Sequence, residues 1–268
     1  MKPSFQQYYG PWALVTGASS GIGAQFAELL AAKGLQLVVT ARRQDRLAAL
    51  QQRLNAQYNT QVVALELDLA AADCLEVLQQ ATADKEVGLV VANAGLGFKG
   101  LHHTLAPAGL RQMLDVNVRA PTLLANAFAA PMVSRKRGGL IFTGSMEGLF
   151  SVPFSAGYAA SKAYVHSLGE ALWHELKPAG VDVLVLAPGA TDTENLQRQG
   201  FDPQRMKGLM TPKEVAALAL EHIADGPIYV PGPQNRLTAH LIGCLPRRVR
   251  VSLVGKGTQR AMAQNRRP

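Results

Sequence analysis

Tyr158 and Lys162 stand four residues apart in the stretch GYAASKAY at 157–164. On a helix, positions i and i+4 share a face, so the phenol and the ammonium can point into one small volume. That pairing suits proton transfer to or from a carbonyl or carbinol oxygen. A free phenol has a pKa of ~10 and shuttles protons poorly near neutrality. A cation beside the phenolate favours the ionised form, and lowering the pKa by ~2 to 3 units takes about 3 to 4 kcal/mol. One charge at an effective dielectric of ~20 supplies roughly that much. Lys162 is therefore expected to tune Tyr158. Two more residues fit the same chemistry. Ser145, in TGSMEG at 143–148, follows a strand end and can donate to a substrate oxygen as charge develops there. Asn117 lies in a predicted helix four residues before Pro121, which has no N–H; the Asn117 carbonyl thus loses its helical partner and is free to hold a water. Taken singly, these are also an exposed helix pair, a loop serine and a kinked helix.

The elements that must position them are legible as apolar runs of strand length at 12–16, 35–40, 62–67, 87–92, 139–144 and 181–187, with a weaker run at 228–230. Helix-like segments separate them at 22–33, 43–56, 71–83, 107–130, 156–177 and 212–224. Strand and helix in alternation predict an α/β fold, a doubly wound parallel sheet of seven strands with helices on both faces. Residues 1–268 are expected to form one domain, with 189–211 as a lid and 236–268 as a basic extension.

Composition narrows the function classes. The net charge of +8 is uneven: residues 226–268 hold eight Lys or Arg and no Asp or Glu, leaving 19 of each sign in the rest. A neutral body with a basic end, and no binding motif, argues against nucleic acid. Cys74 and Cys244 give neither a disulfide framework nor metal spacing, and the histidines show no metal spacing either. No metal is expected. No window reaches the ~18 apolar residues of a membrane span and no leader pattern opens the chain, so a cytoplasmic setting is expected.

The first strand runs into TGASSGIG at 16–23 and then a helix, which places Gly17, Gly21 and Gly23 in a strand-to-helix turn. Glycine lets the backbone approach a pyrophosphate, and the helix N-terminus supplies free N–H groups. Together with Asp68, ANAG at 92–95, Asn117, the thirteen-residue step from Ser145 to Tyr158, Lys162 and PGATDT at 188–193, this turn resembles the short-chain dehydrogenase/reductase family over residues 11–232. Ala92 departs from the pattern, where the family often has asparagine.

The resemblance implies a Rossmann-type domain, a nicotinamide dinucleotide, and Asn117, Ser145, Tyr158 and Lys162 as the catalytic set. It implies that Asn117 anchors a water that relays protons to Lys162, and that Lys162 also holds the nicotinamide ribose. It places the cofactor on Gly17, Ser19, Ser20, Gly21, Ile22 and Gly23 of the turn, and on Asp68 and Leu69 near the adenine. Asn93, Ala94 and Gly95 lie along the ribose, while Pro188, Gly189, Thr191 and Thr193 border the carboxamide and phosphates. Where NAD-dependent members carry an acid for the ribose hydroxyls, this chain has Ala41, followed by Arg42 and Arg43. The missing acid and the two cations imply NADP, with Arg42 the main ligand of the 2′-phosphate.

Around the nicotinamide, Leu96, Phe98, Met146, Leu149, Phe150, Val152 and Phe154 suggest an apolar carbonyl or alcohol substrate, and the lid adds Phe201, Met206, Leu209 and Met210. Arg198, Arg205 and Lys207 are lid cations that could meet an anionic carrier, so a 3-oxoacyl thioester reductase is an alternative, as is an NADP-binding sensor or scaffold without turnover. The tail, with apolar residues among its cations and Pro246 placed to open a second helix, is expected to touch a membrane surface or another subunit. A homodimer through the helices 107–130 and 156–177 is expected, and tetramers closed by chain ends are disfavoured by the long tail.

Overall fold

The computed structural model describes residues 3–206 and 209–265. Lys207, and Arg266 and Arg267 of the tail, lie outside them. The apolar runs become β1 (Trp12–Thr16), β2 (Gln36–Ala41), β3 (Val62–Glu66), β4 (Val87–Ala92), β5 (Gly138–Thr143), β6 (Val181–Leu186) and β7 (Ile228–Tyr229). All pair in parallel in the order β3-β2-β1-β4-β5-β6-β7. Chain direction across the sheet reverses between β1 and β4. The crevice outside the carboxyl ends at such a switch point is where α/β sheets bind ligands.

The helices are α1 (Phe5–Tyr9), α2 (Gly21–Ala32), α3 (Gln44–Tyr58), α4 (Cys74–Thr82), α5 (Pro107–Leu114), α6 (Ala120–Ser134), α7 (Ala156–Leu176), α8 (Glu194–Arg198), α9 (Pro212–Glu221), α10 (Pro233–Gly243) and α11 (Arg247–Asn265). Because strand side chains alternate in direction, β1 sends Ala13 and Val15 to one core and Trp12 and Leu14 to the other. The first core packs under α2, α3 and α9, with Phe26, Leu30, Leu47 and Ala219 fully buried. The second packs under α4, α6 and α7 around Leu78, Leu124, Met132 and Val165. With both faces covered, β1 and β4 are buried along their whole length.

Three local outcomes differ from the sequence pattern. The segment read as one helix over 107–130 is α5, a π-helical turn over Asp115–Arg119, and α6 extending to Ser134. The Ala120 N–H bonds the Asp115 carbonyl, five residues back, so the ladder slips by one residue just before Pro121 removes a donor. Helix α1 has no counterpart in the apolar pattern; a Ser4–Gln7 capping box starts it, and the Tyr9 hydroxyl anchors it on Asp182 at 2.6 Å. The 189–211 connection contains α8 and a short 3-10 turn at Pro203–Arg205, closed by a bridge between Thr191 and Met210. Among the described residues no helix is long and apolar enough to cross a membrane, and no group of three His, Cys, Asp or Glu could hold a metal ion.

Candidate active site and cofactor cleft

The cleft begins where β1 ends. Gly17 and Gly21 adopt φ of 68° and 57°, the left-handed region in which a side chain is strained. A Cβ on Gly17 would also lie 2.9 Å from the Ala94 backbone. Asn93 ties the strand ends together: its Nδ2 donates to the Thr16 carbonyl at 3.0 Å and its Oδ1 accepts from Thr143 Oγ1 at 3.3 Å. Its side chain braces the strand ends while the residue lines the cavity. Ser20, at the N-cap of α2, makes no side-chain cap bond, which leaves the first N–H groups of the helix without that partner and open to an anion. A dinucleotide pyrophosphate fits this cradle.

All the residues assigned to the cofactor from the sequence, except Gly23, line one cavity of about 640 Å³. Gly23 sits behind the wall, where a Cβ would meet the Gly17 carbonyl at 2.3 Å and Asn93 Nδ2 at 2.5 Å, so its work is to bring helix and turn together. The two arginines after β2 differ. The Arg43 guanidinium bonds Ser19 Oγ at 2.9 Å, Ser20 Oγ at 2.8 Å and the Glu194 carboxylate at 2.6 Å, stitching the glycine turn to the lid. Arg42 is exposed, lines the cleft and makes no ion pair among the described residues.

Ser145, Tyr158 and Lys162 converge on the same cavity. Ser145 lies two residues past β5 and caps a 3-10 turn at Met146–Gly148; its Oγ accepts from the Glu147 N–H at 3.1 Å, which leaves the hydroxyl hydrogen for another acceptor. The buried Lys162 ammonium donates to the Thr143 carbonyl at 2.7 Å and lies 5.7 Å from the Tyr158 ring centre. Asn117, 1% exposed, does not reach the cavity. Its side chain instead brackets Leu96, accepting from the N–H at 2.9 Å and donating to the carbonyl at 2.8 Å, and donates to Ser161 Oγ at 3.0 Å. It fixes the loop after β4 against α7, on which Tyr158 and Lys162 stand.

Electrostatically the site departs from the expectation that Lys162 lowers the Tyr158 pKa. Burial pushes Tyr158 up, the Glu147 charge adds to this, and hydrogen bonding with Ser145 opposes it. The Lys162 ammonium is directed at the Thr143 carbonyl instead. The phenol is therefore neutral at pH 7, the form that donates a proton. Burial also lowers Lys162 to about 8. His166, one turn beyond Lys162, is pushed down to about 4 by burial and by the Lys162 charge; it accepts from the Ser145 N–H at 3.4 Å as neutral imidazole.

The sign of the Lys162 shift gives a stability prediction. Between pH 8 and 10.5 the unfolded chain holds a proton that the folded chain releases, so stability rises with pH through that window and the cost is full below pH 8. Lys162→Met removes that cost and one hydrogen bond. We expect a net gain on the order of 1 to 2 kcal/mol in the cofactor-free chain at pH 7, several degrees in Tm, fading toward pH 10.5. Thermal melts across this pH range check it; a variant melting below wild type at pH 7 contradicts it.

Of the apolar residues expected near the substrate, Leu96, Met146, Phe150, Val152, Phe201 and Met206 line the cavity. Phe98 instead packs on Gly109, Phe154 lines a separate small hollow with Leu101 and Met262, and Leu149, Leu209 and Met210 lie off the wall. Arg198 lines the cavity but is paired with Glu194 at 3.2 Å. Sequence reasoning missed the far wall, formed by Val254, Gly257, Thr258 and Ala261 of α11. Their i, i+3, i+4, i+7 spacing is that of one helix face, but glycine and threonine do not register as apolar. Lys99 and Glu147 were missed as well, being single charges in loops.

A parallel sheet with a glycine cradle at its switch point and a Ser, Tyr and Lys trio beside it defines a nicotinamide-dependent oxidoreductase acting on CH–OH or C=O groups. The model of the family described as short chain dehydrogenase matches residues 11–203, and the chain belongs to the short-chain dehydrogenase/reductase family. The 7beta-hydroxysteroid dehydrogenase of Clostridium sardiniense is 32% identical over 234 residues, 87% of this chain and 90% of that protein. The very-long-chain 3-oxoacyl-CoA reductase of Meyerozyma guilliermondii is 36% identical over 189 residues, 65% of this chain and 54% of that protein. Among solved structures, one from work on 7beta-hydroxysteroid dehydrogenase stereoselectivity superposes with a TM-score of 0.87 at 26% identity, covering 94% of this chain and 99% of that one. A short-chain dehydrogenase from Sphingobium yanoikuyae in complex with NADPH gives 0.79 at 30% identity, covering 89% and 97%.

Proposed function

We propose that this oxidoreductase prefers NADP(H) to NAD(H) and interconverts a bulky, largely apolar secondary alcohol with its ketone, reduction being favoured near neutral pH. The observation that carries the reading is the cavity itself, about 640 Å³, whose lining joins the glycine turn and the catalytic trio to Leu96, Met146, Phe150, Val152, Phe201 and Met206 and to Val254 and Ala261 of α11. The relatives support it. Several are hydroxysteroid dehydrogenases, and a solved neighbour at 28% identity is described as specific for bulky-bulky ketones.

The dinucleotide, when bound, supplies the hydride. The chain's residues do the rest. Tyr158 donates its proton to the carbonyl oxygen, and the Ser145 hydroxyl donates a hydrogen bond to that oxygen as charge develops. Lys162, with a pKa of about 8, sits where it can return a proton toward Tyr158. Asn117 holds the loop and α7 in register. A panel of bulky ketones assayed with NADPH, with a steroid ketone among them, tests the reading; turnover of small polar carbonyls alone contradicts it. The alternative, a 3-oxoacyl thioester reductase, is favoured by the second relative and is separated by including a 3-oxoacyl thioester in the panel. An NADP-binding sensor without turnover is disfavoured by the intact catalytic trio.

The tail has two faces. Its inner face closes the cavity, while Leu237, Leu241, Val249 and Leu253 are each more than half exposed beside Arg236, Arg247 and Arg248. We expect a chain ended after Gly243 to lose at least ~10-fold in kcat/KM for bulky ketones while keeping NADPH affinity, and to lose co-sedimentation with anionic vesicles. Unchanged kinetics would remove α11 from the substrate wall; absence of vesicle binding in the full chain would remove the membrane role. Leu114 and Tyr164, exposed on α5 and α7, support a homodimer through those helices.

A further inference from the structure

Beside Tyr158 the cleft holds a second set of polar groups, a buried Lys99 and Ser155 around a partly exposed Glu147, that none of the roles above uses. Lys99, in the loop after β4, has a side chain only 6% exposed. Its ammonium donates to the Glu147 carboxylate at 2.5 Å and to Ser155 Oγ at 3.0 Å, and the Ser155 hydroxyl donates to the other Glu147 oxygen at 2.5 Å. Each end of this triad leads to a residue of the reaction. The Glu147 N–H bonds Ser145 Oγ. Ser155 is the N-cap residue of α7, which presents Tyr158 one turn later, and its carbonyl accepts from the Ala159 N–H at 2.8 Å. The Lys99 ammonium itself lies 5.8 Å from the Tyr158 ring centre. A partly buried ion pair adds little net stability relative to apolar packing, so stability alone does not account for placing one here.

We propose that Glu147 is a positioning residue for the reaction: braced by Lys99 and Ser155, it holds Ser145 against Tyr158 and sets a charge-compensated pair beside the phenol. This rests on Tyr158 being the proton donor. The groups around Tyr158 are Glu147 from the loop after β5, Lys99 from the loop after β4, Lys162 and His166 from α7, His102 near Gly157, and Arg198 from the lid. Of these, Glu147 and Lys99 act with opposite signs and can be removed one at a time. Glu147 raises the Tyr158 pKa, so its loss, leaving Lys99 uncompensated, stabilises the phenolate. Loss of Lys99 does the reverse.

The test is the alkaline limb of the pH profile for ketone reduction, where rate falls as the coupled pair Lys162 and Tyr158 loses protons, a limb that the charges of Glu147 and Lys99 displace in opposite directions. Glu147→Gln is expected to move that limb about 0.5 to 1 unit to lower pH, and Lys99→Met a similar distance to higher pH. Glu147→Gln should also lower kcat about 10-fold through the loosened Ser145, with NADPH affinity measured by fluorescence unchanged. Limbs that stay put, or move in the same direction in both variants, overturn the proposal. Should Lys99→Met not fold, the double variant Lys99→Met/Glu147→Gln buries no charge and carries the comparison: its limb returns to within about 0.3 unit of wild type. A double variant displaced as far as Glu147→Gln overturns it. Tyr158→Phe is the separate control. If it retains activity, the assignment of the acid fails; if it is inactive while the Glu147→Gln limb is unmoved, only the role of Glu147 fails.

Discussion

Tyr158→Phe lowers turnover at least ~10²-fold and leaves NADPH affinity within about twofold of wild type. The Tyr158 phenol lines the cavity beside Ser145, and burial holds it neutral at pH 7, ready to donate, whereas the neighbouring Glu147 carboxylate is engaged by Lys99 and Ser155. A positioned acid contributes typically ~10² to 10⁴-fold, and phenylalanine keeps the ring while deleting the proton. Binding should survive because the pyrophosphate cradle and the arginines after β2 belong to other elements. Equilibrium titration with NADPH and single-turnover reduction, measured on the same preparation, separate the two effects. A variant with half the wild-type rate would show that the proton comes from elsewhere.

Arg42→Ala raises the apparent KM for NADPH by roughly 10- to 100-fold and changes that for NADH little. A 2′-phosphate needs a permanent cation, and charge-assisted bonds from guanidinium contribute ~1.5 to 3 kcal/mol each. Arg42 is exposed on the cleft without an ion-pair partner among the described residues, whereas Arg43 already holds Ser19, Ser20 and Glu194. The two should therefore fail differently. Removing Arg43 loosens the glycine turn itself and weakens both dinucleotides; removing Arg42 weakens only the phosphorylated one. Ala41→Asp combined with Arg42→Ala goes further, since an acid at the end of β2 repels the phosphate and accepts free ribose hydroxyls. Steady-state kinetics with both cofactors on these variants decides it.

How far the sequence disclosed this site depended on which interactions are local. The glycine turn, the strand ends and the Tyr158–Lys162 spacing are short-range, and each fell within a residue or two of its place in the sheet. The Tyr158 pKa was misjudged because charge spacing along a helix says nothing about desolvation, which depends on every element packed around the phenol. Asn117 was expected to act through its carbonyl because Pro121 is visible in sequence; its side-chain bracket on Leu96 and Ser161 joins residues 21 and 44 positions away. Gly23 was grouped with the cofactor by motif, whereas only the three-dimensional approach of Asn93 shows that it is a packing glycine. The α11 wall and the Lys99–Glu147 pair are long-range in the same sense, made by chain segments that no periodicity links.

The most direct test of the account is kcat/KM of the wild-type chain for one bulky apolar ketone, measured side by side with NADPH and NADH. The geometry of Arg42 and the absence of an acid at Ala41 predict a preference for NADPH of at least about 10-fold, with measurable turnover. Equal values for the two cofactors, or tight NADPH binding with no turnover of any bulky ketone, would contradict it.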